Sequence, residues 1–562
     1  MESFPWKPIS VSSALASFLL VKYGEGSVLD LGVAGTFLAS WLAQAGVVVI
    51  YSVFLYPKFL SPLIGLPEPS GGSWWNGHFA TIIKEPSGSP QRRWASTLQH
   101  DGVIRYLGPF NQERLLVVGP KGLSEILVTK SYQFIKPPSV RAFLVRLLGN
   151  GVLVAEGDAH KAQRKNLMPA FAFRHIKDLY PVFWRKSRDS VHAITDFVDL
   201  ESSKAEAAGP QSAKRTAVLE VGDWGSRATL DIVGTAGLGR DFGSLRDPDN
   251  ELTRVYGKLF KPNRQAMILG VIGLIVPEWI LVRLPFKRNG DILHASNYIR
   301  NVCHDLVREK KVKLQEKGET DVDILSVALE SGGFTDEDLV DQLMTFLAAG
   351  HETTATSMTW ALYMLAKNPE MQQRLRDEVR EHLPSMDSDQ NVTSLQIDHL
   401  PYLNAFCSEV LRYWAPVPMT LRHAAEETTL QDIKVPKGTR IMLCSWATNF
   451  DTQLWGPDAT QFNPERWLTS ESATAEEKQR AASGGATSNY ANMTFLHGPR
   501  SCIGQAFAKA EFACLLATWV GRFQFDLKNE EDRDEAGLDI KGGATARPSR
   551  GLYVHAAVVE GW

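Results

Sequence analysis

The chain has 562 residues, more than one small core needs, and length alone suits two to four domains. Apolar residues make up 44% and charged residues 22%, close to ordinary globular values, which excludes wholesale disorder. A formal charge of −3 lacks the basic surplus of a dedicated nucleic-acid binder, so no nucleic-acid partner is expected. The cysteines are Cys303, Cys407, Cys444, Cys502 and Cys514, with no C-x-x-C pair among them. This argues against a structural zinc site and suits a reducing compartment with free thiols.

In chain order, the first strong signal is residues 31–56, which carry no charge. A bilayer is spanned by roughly 20 apolar helical residues. Aromatic residues at the far end, followed by Pro57 and Lys58, fit an interfacial belt. The segment is too long and too far from residue 1 for a cleaved signal peptide. A shorter apolar stretch, residues 11–21, either lies in the interface or forms a second short span. The side of the membrane that Met1 faces depends on that choice. Residues 1–57 are therefore read as an anchor, 58–72 as a linker rich in proline and glycine, and 73–562 as the soluble body.

Within the body, residues 102–118 alternate enough for a short sheet, and strands are expected near 417–423 and 440–447. Helical periodicity is clearest at 336–367, 398–414 and 503–523. Thr335 with Asp338 resembles a capping box, and Asn368-Pro369 ends the first of these helices. Residues 201–216 and 470–490 are polar and small and read as surface insertions, the first of them mobile. Residues 267–284 are almost as apolar as the anchor but carry Pro277, Glu278 and Arg283. They read as a buried helix or a patch that dips into the membrane, not a clean span. The expected fold class is mainly α with a small β region.

Phe495-Leu496-His497-Gly498-Pro499-Arg500-Ser501-Cys502-Ile503-Gly504 is the most informative stretch. Two glycines and a proline shape a tight loop, and a helical run follows it. A cysteine just before a helix N-terminus has the dipole and free N–H groups to support a thiolate, a good soft ligand for iron. Arg500 could meet an anionic group. The loop fills every fixed position of F-x-x-G-x-R-x-C-x-G, the signature of the cytochrome P-450 family, and the chain resembles that family from about residue 60 to 560.

The resemblance implies one large, mainly helical domain carrying haem, with Cys502 as the axial iron ligand and Phe495 and Arg500 beside the cofactor. Glu409-Val410-Leu411-Arg412 resembles the family's E-x-x-R pair, and Arg466 in Pro464-Glu465-Arg466-Trp467 its third, structural partner. Ala349-Gly350-His351-Glu352-Thr353-Thr354 resembles the family's oxygen-handling motif. There Gly350 would leave room for dioxygen, and Glu352 with Thr353 would relay protons through ordered water. His160 and Arg164, four apart on one helix face, resemble a propionate-binding pair, and Arg422 sits where many members have another propionate partner.

The reaction so implied is insertion of one oxygen atom from dioxygen into a lipophilic substrate. Residues 416–420 and 344–349, which line the pocket in the family, are uncharged here. Electrons would come from NADPH through a separate membrane-bound cytochrome P-450 reductase, since no flavin-binding segment follows the haem domain. Lys161, Lys165 and Lys509 are candidate docking charges. The expected setting is the endoplasmic reticulum membrane, with lipid around the anchor and the catalytic domain on the cytosolic side. The double apolar N-terminus resembles fungal secondary-metabolism members. A haem-thiolate isomerase or dehydratase, working without a reductase, is the rival reading. Members of that kind tend to lack the acid–alcohol pair present here.

Overall fold

The computed structural model describes the chain except residues 1–4, 24–31, 209–214, 261–264, 266–267, 270–271, 274–275, 277, 318–321, 471 and 542–543. Its core is built around one long helix, Asp336–Lys367. The helix starts where Thr335 and Asp338 exchange capping bonds, and three acidic residues in the first turn complement its dipole. Pro369 opens the next helix, Pro369–His382. Nearly every residue from Leu339 to Ala366 is buried, because other helices pack around it. They include Val221–Ile232, Lys287–Lys317 and Gln505–Arg522. Thr229 Oγ1 donates to the carbonyl of His351 at 3.0 Å, and Trp360 stacks on Trp414 with ring centres 3.9 Å apart.

The β region lies to one side. Val103–Leu107 pairs antiparallel with Glu113–Val117, which runs parallel to Arg440–Cys444. Met419–Ala424 pairs antiparallel with Arg440–Cys444, and Phe134–Ile135 closes the five-stranded sheet. The C-terminal strand Tyr553–Val558 sits between Thr216–Glu220 and Phe523–Leu527 in a separate three-stranded sheet. The expected helices appear as Asp336–Lys367, Pro401–Tyr413 and Gln505–Arg522.

The described parts of both polar insertions include helix. The helix Tyr180–Ala208 continues through the first part of 201–216, where Lys204 pairs with Glu201 at 2.8 Å, and residues 209–214 lie outside the described residues. Its Glu, Lys and Ala residues are good helix formers, which composition alone disguised as linker. In 470–490, a capping box of Thr474 and Glu477 starts a helix, Ala475–Ala482. Among the described residues of 267–284, Ile268, Leu269 and Ile272 are helical, Gly273 and Val276 lie in a turn and a bend, and Glu278–Leu281 forms a short helix, so one continuous helix does not run through the segment.

At the N-terminus, Gly32–Leu60 is long and apolar enough to cross a membrane. It is the single such helix among the described residues. The helix Trp6–Tyr23 lies against it: Trp6 stacks on Trp41 at 5.4 Å, and Gln44 bonds to both Ser12 and Ser13.

Glu511 joins the two helices on either side of the core. Its Oε2 accepts from Thr354 Oγ1 at 2.9 Å, while Oε1 has no partner. Complete burial pushes its carboxyl well above the ordinary value of 4.5, so the folded chain keeps this proton after the unfolded chain has lost it. Stability at this site therefore falls as pH rises above 4.5. Glu511→Gln has no proton to lose, so its denaturation midpoint should gain on the parent's as pH climbs from 4 towards neutrality. A constant difference across that range contradicts a buried neutral acid.

Candidate active site

The site begins with a carboxylate that has no access to solvent. Glu409 Oε1 accepts from Arg412 Nη2 at 2.7 Å, from the backbone N–H of Asn463 at 2.8 Å and from Arg466 Nε at 3.3 Å. Its Oε2 accepts from Arg412 Nε at 2.8 Å and Trp467 Nε1 at 2.9 Å. The i,i+3 spacing on the helix Pro401–Tyr413 brings Glu409 and Arg412 together side-on. Arg412 also donates to the carbonyls of Asn449, Ala459 and Gln461. The clamp thus fixes the segment from 449 to 467.

From there the constraint passes to the cysteine loop through Asn449. Its Nδ2 donates to the carbonyl of Arg412 at 2.9 Å and its Oδ1 accepts from the N–H of Met493 at 2.9 Å. Thr494 Oγ1 donates to the carbonyl of Leu411 at 2.7 Å. Two residues just before Phe495 are therefore tied to the clamp helix. Within the loop, the N–H of Cys502 donates to the carbonyl of Phe495 at 2.8 Å. Gly498 has φ +71° and presses against the carbonyl of Leu127, so a side chain there is excluded.

Cys502 is exposed, whereas Cys303, Cys407, Cys444 and Cys514 are buried. Yet burial pushes its thiol above the ordinary value, with the N–H of Gly504 and the charge of Arg164 pulling the other way. The side chain is thus accessible yet enclosed by the surrounding protein. Arg164 donates to the carbonyl and hydroxyl of Ser501 at 2.7 and 3.1 Å, so it holds the loop from below.

Beside the loop, positive charge accumulates. Arg500 donates to the carbonyl of Ala155 at 3.0 Å and pairs with Glu156, while its buried Nε has no partner. Arg422 donates to Thr420 Oγ1 and to the carbonyl of Leu421. Burial and neighbouring Arg500 push its guanidinium down to about 10. Lys136 is pushed down to about 7 by burial and then by Arg422 and Arg500. His160, bonded through Nδ1 to the hydroxyl of Tyr132 at 3.0 Å, is pushed down to about 3 by burial, Arg500 and Arg164. Glu156 is the carboxylate that faces this group of cations.

The long helix supplies the opposite wall. Among its buried residues, Ala349 is exposed and Phe346, Gly350 and Thr353 are half-buried, a stripe at helical spacing. Phe171 bridges the two walls: its ring meets Phe346 edge-on at 5.3 Å and lies 3.6 Å from where a side chain on Gly504 would begin. Thr353 Oγ1 donates to the carbonyl of Ala349 at 2.8 Å. Glu352 turns elsewhere, accepting from Thr545 Oγ1 at 3.0 Å and pairing with Arg547 at 3.5 Å. Consecutive helical residues differ by about 100° in direction, so the two do not touch, and a relay between them needs water. A side chain on Gly350 would meet Val233 at 2.9 Å, so this glycine first of all admits a neighbouring segment.

The family profile described as Cytochrome P450 matches residues 67–550. The chain belongs to the cytochrome P450 family. It is similar to cytochrome P450 monooxygenase sphH of Aspergillus fumigatus, with 45% identity over 520 residues and 92% of each chain covered. It is similar to FUM15 of Gibberella moniliformis at 42% identity, covering 97% of this chain and 98% of that one. ALT8 of Alternaria alternata is 41% identical over 98% of this chain and 99% of its own. All three are named cytochrome P450 monooxygenases.

A cytochrome P450 carries thiolate-ligated haem, and the residues present here fit that group. The cysteine is accessible, and Lys136, Arg422 and Arg500 share one facing carboxylate, Glu156, where two propionates would add negative charge. The partnerless Nε of Arg500 is the clearest sign of a missing anion. Lys136, Tyr132, Asn449 and Thr545 escaped the sequence reading, because each meets partners distant in the chain and none lies in a patterned motif.

Replacing Glu409 by Gln keeps its shape and strands two buried guanidinium groups. The expected cost is about 3–5 kcal/mol, read as a lowered denaturation midpoint with loss of bound haem. A loss below about 1 kcal/mol, the value of an exposed pair, contradicts the clamp.

Proposed function

We propose that Cys502 is the axial ligand of the haem iron and that Arg422, Arg500, His160 and Arg164 receive the propionates, with Phe495 against the cofactor. The protein is a haem-thiolate monooxygenase, and its cofactor, once bound, activates dioxygen with two electrons from NADPH delivered by a reductase. The single observation that carries the assignment is the enclosed, accessible Cys502 in a loop fixed from three sides.

The chain's own residues then have defined tasks. Arg164 and the N–H of Gly504 stabilise negative charge at Cys502 Sγ. Thr353, half-buried on the long helix, can release the carbonyl of Ala349 and hold a water instead. Glu352, held by Thr545 and Arg547, is the acid from which ordered water would draw the next proton. Val417, Met419 and Leu421, half-buried and uncharged, suit a lipophilic substrate. Secondary metabolism is the setting suggested by the fungal relatives. The helix Gly32–Leu60 anchors the chain, and the endoplasmic reticulum with a cytosolic catalytic body is the location proposed. Lys161 and Lys165, exposed on the helix that carries Arg164, together with exposed Lys509, would meet NADPH–cytochrome P450 reductase.

The acid and alcohol at 352 and 353 favour oxygen insertion over an isomerase or dehydratase reaction. Turnover in microsomes with reductase, NADPH and ¹⁸O₂ tests this. One label atom per oxidation is expected in the product, and none without NADPH. Product formed equally well without NADPH or reductase contradicts it. For Thr353→Ala, product formation should fall on the order of 10²-fold, while NADPH oxidation falls far less. Equal losses in both would remove Thr353 from proton handling.

A further inference from the structure

The five-stranded sheet carries a row of paired side chains whose charges do not balance. Arg114 on Glu113–Val117 is the direct partner of Arg440 on Arg440–Cys444. Residues paired across neighbouring strands point to the same face, about 5 Å apart. Like charges placed opposite each other in this way oppose sheet formation. Beyond Arg114 the row continues to Tyr106, and beyond Arg440 to His423, so neither neighbour is acidic. Glu113, next to Arg114 in the chain, points to the other face, where it meets Arg105 at 2.8 Å. Among the described residues, no carboxylate pairs with Arg114 or Arg440.

The pair is also enclosed. Both arginines are half-buried. Arg114 Nε is buried without an acceptor, and it lies 2.6 Å from where a side chain on Gly108 would begin. This glycine therefore makes room for the guanidinium. Tyr106 lies beside Arg114 and donates to Met442 Sδ at 3.8 Å. Burial pushes its hydroxyl above the ordinary value, so it supplies no negative charge. Burial, and then Arg114, pulls the Arg440 guanidinium below its ordinary value. Two adjacent guanidinium groups with a buried donor left over suit a carboxylate, which accepts two hydrogen bonds side by side.

The row also has a direction. On the same face, Met419, Leu421 and His423 alternate along their strand, paired with Cys444, Met442 and Arg440. Met419 and Leu421 are half-buried and uncharged and suit a lipophilic substrate. A strand rises about 3.3 Å per residue, so Arg440 lies about 7 Å beyond the level of Leu421 and about 13 Å beyond that of Met419.

We propose that Arg114 and Arg440 bind a carboxylate of the substrate, which is a lipophilic acid whose apolar part runs along Leu421 and Met419. The proposal rests on the haem-monooxygenase reading and adds the polar end of the substrate to it. A carboxylate held at the pair fixes which carbon of the substrate reaches the haem. The arginines thus determine the position of oxidation as well as the affinity.

The test uses ω-imidazolyl alkanoic acids of graded chain length, each beside its methyl ester, on the haem-loaded full-length protein. The imidazole ligates the haem iron and shifts the Soret band, while the other end of the chain reaches for the arginines. At the chain length that spans the two sites, the acid should bind about tenfold more tightly than its ester, as for one charge-assisted hydrogen bond. That advantage should shrink in Arg114→Gln and in Arg440→Gln and vanish in the double variant. If these variants do not fold, Gly108→Ala, which displaces Arg114, should reduce the advantage instead. Acid and ester bound equally at every length by the parent, or an acid preference that survives in the double variant, overturns the site. An acid preference that brings no Soret shift at any length overturns its assignment to the substrate. Equilibrium dialysis of the same pairs reads the preference independently of the haem band. A missing shift with free imidazole therefore counts against the haem reading alone.

Discussion

A carboxylate removed entirely from water must be met by donors on every side, and the body of this protein is arranged around meeting Glu409. Five hydrogen bonds converge on its two oxygens. In meeting them, Arg412, Arg466 and Trp467 draw together segments far apart in the chain. Burying an ion pair brings little net stability, because desolvation offsets most of the attraction. What it does bring here is one allowed arrangement. Through Asn449 and Thr494 the clamp determines where Phe495 starts, and so where Cys502 stands.

The second constraint is an imbalance of charge. Lys136, Arg422 and Arg500 gather around Glu156 with His160 held neutral beside them, and burial plus mutual repulsion pull their proton affinities down. Glu156 balances only part of that positive charge. An anionic cofactor resolves it, and the same anion would occupy the free Nε of Arg500. The clamp and the cation cluster thus act on the cysteine loop in two ways, one by geometry and the other by electrostatics.

Much of this was legible in residues read one after another. The long helix announces itself with a capping box and a proline stop, and its observed bounds coincide with the expected ones. The loop motif marks Cys502 among the cysteines. Other features have no local signal. The pair Glu409 and Arg412 could have been a solvated surface bridge, and only its surroundings, Trp467 and the carbonyls near 459, make it internal. The orientation of Glu352 depends on Thr545, nearly two hundred positions away, so no window of sequence reveals that acid and alcohol point apart. Composition hid regular structure at 201–208 and 475–482, where small polar residues conceal a helix continuation and a capped helix.

The central claim is that Cys502, and no other group, coordinates the haem iron. It is tested most directly by the visible spectrum of dithionite-reduced, carbon monoxide-treated membranes containing the parent or Cys502→Ser. The account expects a strongly red-shifted Soret band in the parent and its loss in the variant. A parent-like band in Cys502→Ser, or none in a folded and haem-loaded parent, would contradict it.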